Sequence, residues 1–206
     1  MRKGSETRER ILEIAETAEL AKGFGATSIE ELIAEAGITK SGFFYHFKDK
    51  NELAHGLLER YIASTDKLFA DVFGRAKELS DDPLQSFLIG LKLFAEEMAA
   101  LPNGHPGCLV ATMSYQDRLF SREIRDLVTR TVADCNRFFR AALEEIVAAY
   151  PPHEPVDIDK LSRMIVCAIV MSRTLRRPEV LPEQILIVRS HIKMQFSTPV
   201  VFRVAA

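Results

Sequence analysis

Apolar residues recur at every third or fourth position along almost the whole chain, which is the spacing that places side chains on one face of an α-helix. Strict alternation of apolar and polar residues, the pattern of a half-buried strand, is nearly absent. The pattern therefore predicts an all-α protein. It indicates helices over about residues 6–22, 29–36, 40–47, 50–79, 83–98, 121–150, 157–175 and 182–196, with a shorter helix starting at Cys108.

The segments between the first three helices carry turn and capping signals. Gly23 suits a left-handed cap of the first helix, and Thr27 with Glu30 three residues later predicts a capping box at the start of the second. Gly37 ends the second helix, and Thr39 caps the third. Two short helices joined by a glycine turn are the sequence form of a helix-turn-helix, although many such hairpins bind nothing.

The predicted helix over residues 50–79 is about 45 Å long, which is enough to connect two parts of a molecule. The sequence therefore predicts three segments. They are an N-terminal three-helix domain at residues 1–50, a second helical domain at residues 51–197, and a tail at residues 198–206. The tail is apolar, and it either docks on the body or stays disordered.

Composition and charge narrow the class of protein. The 206 residues are 47% apolar and 27% charged with a net charge of −2, which is ordinary for a globular protein and excludes a low-complexity chain. The three cysteines form no CxxC pair, which argues against a disulfide framework and against a zinc finger. No signal sequence or unbroken membrane-spanning run is present, so we expect a soluble cytoplasmic protein with no membrane, metal or cofactor requirement.

The segment from Thr39 to Lys50 carries the chemistry of a nucleic-acid contact. Phe43 and Phe47 are four residues apart and are expected to point together into a core. Residues 36–50 carry a net charge of +2, whereas residues 1–50 carry −1, so any such site is a local patch. Small, cationic and aromatic groups around a helix N-terminus suit a phosphate backbone and the floor of the major groove. The small residues are Ser41 and Gly42, and the outer or turn positions hold Lys40, Phe44, Tyr45, His46, Lys48 and Lys50.

Residues 8–53 resemble the tetracycline-repressor (TetR) family of bacterial transcription regulators. The resemblance rests on Gly23-Phe24 ahead of Thr27, on the framework Ile29-Leu32-Ala36-Gly37-Ile38, and on Tyr45-His46-Phe47 followed by Lys50 and Leu53. It implies an α-helical homodimer with an N-terminal DNA-binding domain and a C-terminal effector-binding and dimerisation domain. Such proteins usually repress transcription until an effector releases them from a palindromic operator.

The resemblance also implies which residues contact double-stranded DNA. Thr27 would cap the second helix and touch a phosphate, and Lys50 would bind a phosphate. The groove would be contacted by Thr39, Lys40, Ser41 and Gly42, with Tyr45 and His46 nearby. The family commonly has a tyrosine at the position of Phe44, and since phenylalanine cannot donate to a phosphate, Tyr45 or a thymine-methyl contact is the expected substitute.

The resemblance implies an effector pocket between the long helix and the helices after it, and the residues of this region suit an apolar or aromatic effector. An aromatic- and Met-lined cavity with few polar groups suits such a molecule, although the same stripes also suit an ordinary core. The candidate pocket residues are Tyr61, Thr65, Phe69, Phe94, Met98, Cys108, Met113, Thr131, Cys135 and Phe138.

Apolar faces on the last two helices suit either a four-helix dimer interface or packing within one subunit, and the resemblance favours the dimer. The candidate interface residues are Leu161, Met164, Ile165, Ala168, Ser172, Leu175, Ile185, Val188, Ile192 and Phe196.

Cys108 leaves an alternative function open. It lies at a predicted helix N-terminus, where the dipole lowers a thiol pKa, so it suits a redox sensor as well as a buried core position. A thiol hydrolase using Cys108 and His105 is disfavoured because no carboxylate is placed to orient the base. The sequence therefore predicts a ligand-responsive, dimeric DNA-binding repressor and not an enzyme. The alternatives are a redox-sensing regulator that uses Cys108 and an interaction module without DNA binding.

Overall fold

The computed structural model describes residues 2–102, 107–152, 155–171 and 177–196, and all regular secondary structure in these ranges is helical, as the periodicity predicts. A short 3₁₀ turn, Asp117–Leu119, lies between the sixth and seventh helices. The α-helices of the described ranges are α1 (Arg2–Lys22), α2 (Ile29–Ala36), α3 (Lys40–His46), α4 (Lys50–Leu79), α5 (Pro83–Ala99), α6 (Leu109–Tyr115), α7 (Arg122–Ala149), α8 (Ile158–Met171) and α9 (Val180–Phe196).

The start of α2 differs from the prediction by one residue. Ser28, not Thr27, is the N-cap, and its Oγ accepts the backbone N–H of Glu31 at 3.1 Å. The Thr27 hydroxyl instead donates to the carbonyl of Gly23 at 3.1 Å, and the side chain is only 2% exposed. The predicted capping box of Thr27 and Glu30 is therefore wrong. Two adjacent hydroxyl residues are equally able to cap, and the turn at Gly23 takes up the first of them.

The starts of α4 and α5 are each capped by an aspartate. The Asp49 carboxylate accepts the N–H of Glu52 at 2.8 Å at the start of α4, and Asp82 accepts that of Gln85 at 2.7 Å at the start of α5. Pro83 takes the first position of α5, where a missing N–H costs nothing. α9 begins at Val180, two residues ahead of the predicted start.

Two hydrophobic cores lie at the two ends of α4. The first joins α1, α2 and α3 with the N-terminal half of α4, with α6 and with the N-terminal part of α7. The second joins the C-terminal half of α4 with α5, α8, α9 and the C-terminal part of α7. The first core thus crosses the domain boundary proposed at residue 50, because α6 packs on the three-helix segment.

The turn between α1 and α2 is fastened to the segment that follows α6. The rings of Phe24 and Phe120 have centroids 4.8 Å apart, and the Gly25 N–H donates to Gln116 Oε1 at 3.1 Å. Gly23 has a φ of +87°, and a Cβ there would lie 2.5 Å from Gln116 Nε2. The positive φ favours glycine at this position, because residues with a Cβ rarely adopt it, and a larger residue would also displace the Gln116 side chain.

A charged cluster also joins α1 to α4. The Arg60 guanidinium pairs with Glu9 and Glu16 and lies 3.4 Å from Glu13 Oε1. Burial raises the pKa of Glu16, an effect that Arg60 opposes. Within the described ranges, no helix combines the length and apolarity needed to cross a membrane.

Candidate nucleic-acid interface and effector pocket

The N-terminus of α3 presents small polar groups and one cation to solvent. Thr39 Oγ1 accepts the Gly42 N–H at 3.1 Å and lies 3.1 Å from Ser41 Oγ, so the two hydroxyls are held side by side. Thr39, Lys40 and Ser41 are all exposed. A short helix end with exposed hydroxyls and a lysine can approach a phosphate backbone closely.

Aromatic residues divide α3 into an inner and an outer face. Phe43 and Phe47 are fully buried, with ring centroids 5.7 Å apart, as their spacing predicts. Phe44 is 42% exposed and Tyr45 is 82% exposed, and the Tyr45 ring meets the His46 ring edge-on at 5.0 Å. The buried pair fixes the helix on the core, so the outer aromatic and imidazole groups remain available to a ligand.

Lys50 and Thr27 are placed differently from what the resemblance implies. Lys50 Nζ donates to the carbonyl of Phe24 at 2.5 Å and lies 4.5 Å from the centroid of the Phe24 ring. Partial burial lowers the pKa of Lys50, and the nearby Glu19 carboxylate opposes that shift. Lys50 is therefore turned inward in this structure, and Thr27 is buried with its hydroxyl engaged, so neither presents a free group to a phosphate.

Four of the candidate pocket residues form a polar cluster between α4, α6 and α7. The Tyr61 hydroxyl interacts electrostatically with the side chains of Cys108, Thr65 and Cys135. Burial, together with Cys108, raises the pKa of Tyr61. Burial also raises the pKa of Cys135 to about 12, so this thiol is protonated at neutral pH. The cluster offers hydroxyl and thiol groups inside an otherwise apolar region.

The other candidate pocket residues belong mainly to the hydrophobic cores. Phe69, Phe94 and Met98 are buried in the second core, and Met113 is buried in the first. The Phe138 ring, 36% exposed, stacks on Phe69 with centroids 5.2 Å apart. The Thr131 hydroxyl donates to the Leu127 carbonyl at 2.8 Å on its own helix. The sequence pattern allowed a core or a pocket here, and most of these side chains are core.

A half-open groove of about 190 Å³ lies between α6, the 3₁₀ turn and the start of α7. Met113 is the candidate pocket residue that lines it. Ile124 and Val128 belong to the apolar stripe of α7, and periodicity alone does not distinguish a groove wall from a core position. The lining residues are Met113, Ser114, Asp117, Phe120, Ile124, Arg125, Val128 and Thr129.

The candidate dimer residues are mostly packed inside the subunit. Six of them are buried in the second core, namely Leu161, Ile165, Ile185, Val188, Ile192 and Phe196. These side chains are not available to a partner, so the internal packing that the sequence also allowed is what the structure contains. Met164 is 37% exposed, and Ala168 is half-buried. Ser172 and Leu175 lie outside the described residues, as does the tail.

A different face of α9 is exposed. Ile187 is 59% exposed and Met194 is 70% exposed, and both Leu186 and Ser190 lie on the same side. Residues three and four apart are neighbours on a helix surface, so these four form one stripe. The opposite side of α9 carries the buried residues.

An all-helical chain with an N-terminal helix-turn-helix on a larger helical body belongs to the class of helix-turn-helix regulators. The sequence model of the bacterial regulatory proteins of the tetR family matches residues 11–57, which span α1 from Ile11 through the first part of α4. The N-terminal segment of this chain therefore carries the helix-turn-helix domain of the TetR family of bacterial transcription regulators.

Individual relatives agree with this assignment. The HTH-type transcriptional regulator TtgR of Pseudomonas putida is 36% identical over 81 residues, which cover 38% of this chain and 36% of TtgR. The HTH-type transcriptional repressor KstR2 of Mycolicibacterium smegmatis is 27% identical over 164 residues, 77% of this chain and 73% of KstR2. The alignment thus spans little more than a third of the length of TtgR.

The fold extends over nearly the whole chain. The crystal structure of a TetR transcriptional regulator from Chloroflexus aurantiacus matches with a TM-score of 0.77 and 23% identity, covering 95% of this chain and 98% of that one. The reduced form of Escherichia coli NemR matches with a TM-score of 0.71 and 18% identity, covering 95% and 100% respectively. At these identities the likeness concerns the fold alone.

Proposed function

We propose that this protein is a dimeric DNA-binding repressor that a small, mainly apolar effector releases from a palindromic operator. One observation carries the DNA-binding part. The family match falls on a helix-turn-helix whose third helix holds Phe43 and Phe47 inside and exposes Thr39, Lys40 and Tyr45. The N-terminal part of this helix carries polar and aromatic groups that suit direct contact with the major groove of DNA.

The proposed contact residues differ in their roles. Lys40 and the hydroxyls of Thr39 and Ser41 are suited to phosphate oxygens, which fix orientation without conveying sequence. Tyr45 and His46 project beside them and are suited to base edges, a phosphate, or both. Phe44 is exposed but has no polar atom, so a thymine methyl is its natural partner.

Two further positions near this surface complete the proposed contact. Gly42 has no side chain, so the backbone of α3 can approach the DNA closely. Ser28 replaces Thr27 as the exposed hydroxyl at the start of α2.

The main experiment selects bound sequences from randomised duplex DNA with the full-length protein. A palindromic motif is expected with the wild type and not with the double variant Lys40→Ala, His46→Ala. If the wild type enriches no sequence at low salt, even after it has been refolded to remove any bound effector, the interaction-module alternative is supported instead.

Lys40→Ala is expected to weaken binding to the selected operator about tenfold, because one charged hydrogen bond is worth about 1.5 kcal/mol or more. The slope of log affinity against log salt should fall by about one unit, since one fewer counterion is released. Fluorescence anisotropy over a range of salt concentrations measures both quantities.

The matched control for Lys40→Ala is Lys92→Ala, which removes an exposed lysine from α5. Lys92 lies outside the proposed interface, so its variant should bind as the wild type does. Equal salt slopes for all three proteins would contradict the proposed role of Lys40.

The proposed dimer surface is the exposed stripe of α9 with Met164 of α8. Exposed apolar groups in a row favour burial against a second subunit, and a two-fold axis would place the same stripe on both sides. The two copies of α3 would then contact successive half-sites of one palindrome. This arrangement replaces the interface expected from the sequence.

The proposed effector site is built around Tyr61. A small number of polar groups in apolar surroundings is typical of small-molecule sites. Here those groups belong to Tyr61, Thr65, Cys108 and Cys135. α6 carries Met113, and the segment after it holds the α1–α2 turn through Gln116. An effector that binds one arrangement of α6 better than another would shift the population of DNA-binding dimers by that difference in affinity.

Tyr61→Phe is expected to raise the effector concentration needed for half-maximal operator release about tenfold, since a buried hydrogen bond is worth about 1–1.5 kcal/mol. The assay screens apolar phenols and aromatic ketones against the operator complex. Operator affinity without compound should not change. Tyr115→Phe, at an exposed tyrosine, is the control, and an equal response of all three proteins would contradict this placement of the effector.

The redox alternative is separated from the effector proposal by the same release assay. If peroxide releases the wild type from DNA and Cys108→Ser removes that response, the redox alternative is supported. If the two proteins respond equally to peroxide, that alternative is wrong.

A further inference from the structure

A buried carboxylate lies beneath the helix-turn-helix. Glu19 of α1 is 1% exposed, and among the described residues neither of its carboxylate oxygens has a hydrogen-bond partner. A buried ionised group without such partners is costly unless an opposite charge is near. The position of this carboxylate therefore calls for an explanation in terms of its neighbours.

The opposite charge is Lys50, at the first position of α4. Its Nζ donates to the Phe24 carbonyl and lies above the Phe24 ring, and it attracts the Glu19 carboxylate. The Glu19 carbonyl accepts the Gly23 N–H at 2.8 Å, so Glu19 lies one turn before the α1–α2 turn. The charged groups that act on Glu19 are Lys50 from α4 and Glu16 from its own helix.

Lys50 also stands next to the proposed DNA surface. It begins the helix that follows α3 and is separated from His46 by three residues. A lysine side chain has a flexible four-carbon stem, so its ammonium can point inward to Phe24 or outward to solvent. An outward ammonium at this position would be available to a DNA phosphate.

We propose that Glu19 is a positioning residue for DNA binding: its ionised carboxylate retains the Lys50 ammonium inside, and its neutral form releases Lys50 to a DNA phosphate. This inference rests on the proposed DNA-binding function. It requires only one side chain to move, with α1, α3 and α4 in place.

Proton linkage gives the direction of the effect. Burial raises the pKa of Glu19 to about 8, and Lys50 opposes that shift. When Lys50 turns outward to DNA, Glu19 loses the opposing cation and holds its proton more strongly. At any pH at which Glu19 is ionised in the DNA-free protein, DNA binding therefore takes up a proton. The affinity for DNA should fall as the pH rises through about 8.

The test measures the affinity for one mixed-sequence duplex at low salt between pH 6.5 and 9, by fluorescence anisotropy. All proteins carry His46→Gln, because an imidazole on the same surface also changes charge near neutrality. The variants are Glu19→Gln, Glu19→Leu and Lys50→Gln. The control is Glu30→Gln, which removes one negative charge from an exposed position on α2.

We expect the background protein and Glu30→Gln to lose at least fivefold in affinity between pH 7 and 9. The Glu19→Gln and Glu19→Leu variants should bind DNA over the whole pH range with the affinity that the background protein has at pH 6.5. Lys50→Gln should bind weakly, with no dependence on pH in this window. Equal pH profiles in the background protein and in the Glu19 variants would overturn the proposal, while leaving DNA binding itself established.

Thermal unfolding of the same proteins provides a readout that needs no DNA. A raised folded-state pKa means that folded Glu19 binds more protons than unfolded Glu19 between about pH 4.5 and 8, so stability falls as the pH rises across that range. The midpoint should fall more steeply for the background protein than for Glu19→Leu. Identical slopes would overturn the assignment of Glu19. If the unfolding midpoints show the expected slopes but neither the wild type nor any variant binds DNA at any pH, both the proposed function and this inference are wrong.

Discussion

Phe139→Ala is expected to lower the free energy of unfolding by about 3–5 kcal/mol, because truncating a fully buried phenylalanine removes its transfer energy and leaves a cavity. Phe139 has no exposed surface. Its ring centroid lies 5.5 Å from that of Phe69, 6.0 Å from that of Phe73 and 5.2 Å from that of Phe138. The side chain therefore joins α7 to α4 in the second core.

Urea denaturation at one fixed protein concentration measures this loss, since the stability of an oligomer depends on concentration. Phe138→Ala is the matched control on the same helix. Its ring is 36% exposed, so we expect it to cost clearly less. If both variants lost the same free energy, or if Phe139→Ala lost less than about 1 kcal/mol, the packing described for α7 would be wrong.

Ile187→Asp is expected to convert the proposed dimer into monomers and to weaken operator binding by at least about a hundredfold. A carboxylate buried across a two-fold interface meets its own copy or apolar surface and has no compensating partner. A monomer contacts only one half-site, so the gain from linking two binding events is lost, and this gain is typically about 10²–10⁴.

Sedimentation measures the oligomeric state, and anisotropy with the selected operator measures the affinity. The control is Leu79→Asp at the end of α4, where a leucine is 61% exposed, close to the 59% of Ile187. Leu79→Asp should leave both properties unchanged. A dimeric Ile187→Asp protein would show that the subunits meet elsewhere.

These two predictions concern a property that the sequence pattern left undecided, namely which face of a helix meets which partner. The apolar pattern of α7 placed Cys135 and Phe138 among the inward-facing pocket candidates. The structure fully buries Phe139 and Leu143 instead and leaves Phe138 partly exposed. Adjacent apolar residues fit two helical phases equally well, and only the neighbouring helices select one of them.

The same ambiguity affected α9. The stripe of Ile185, Val188 and Ile192 is apolar, and the opposite stripe that contains Ile187 is largely apolar as well. Packing in the second core buries the first stripe and exposes the second. An apolar stripe shows that burial is favourable, but it does not show whether the covering surface belongs to the same subunit or to another.

Local patterns were enough to predict the helical class, the helix-turn-helix and most helix boundaries, because these depend on periodicity and on capping groups within a few residues of each other. Thr39 and Gly37 act as the local signals predict. The tertiary structure alone decided the inward turn of Lys50, the burial of Glu19 and the exposed face of α9. Those features depend on contacts between residues far apart in the chain, and such contacts leave no local pattern in the sequence.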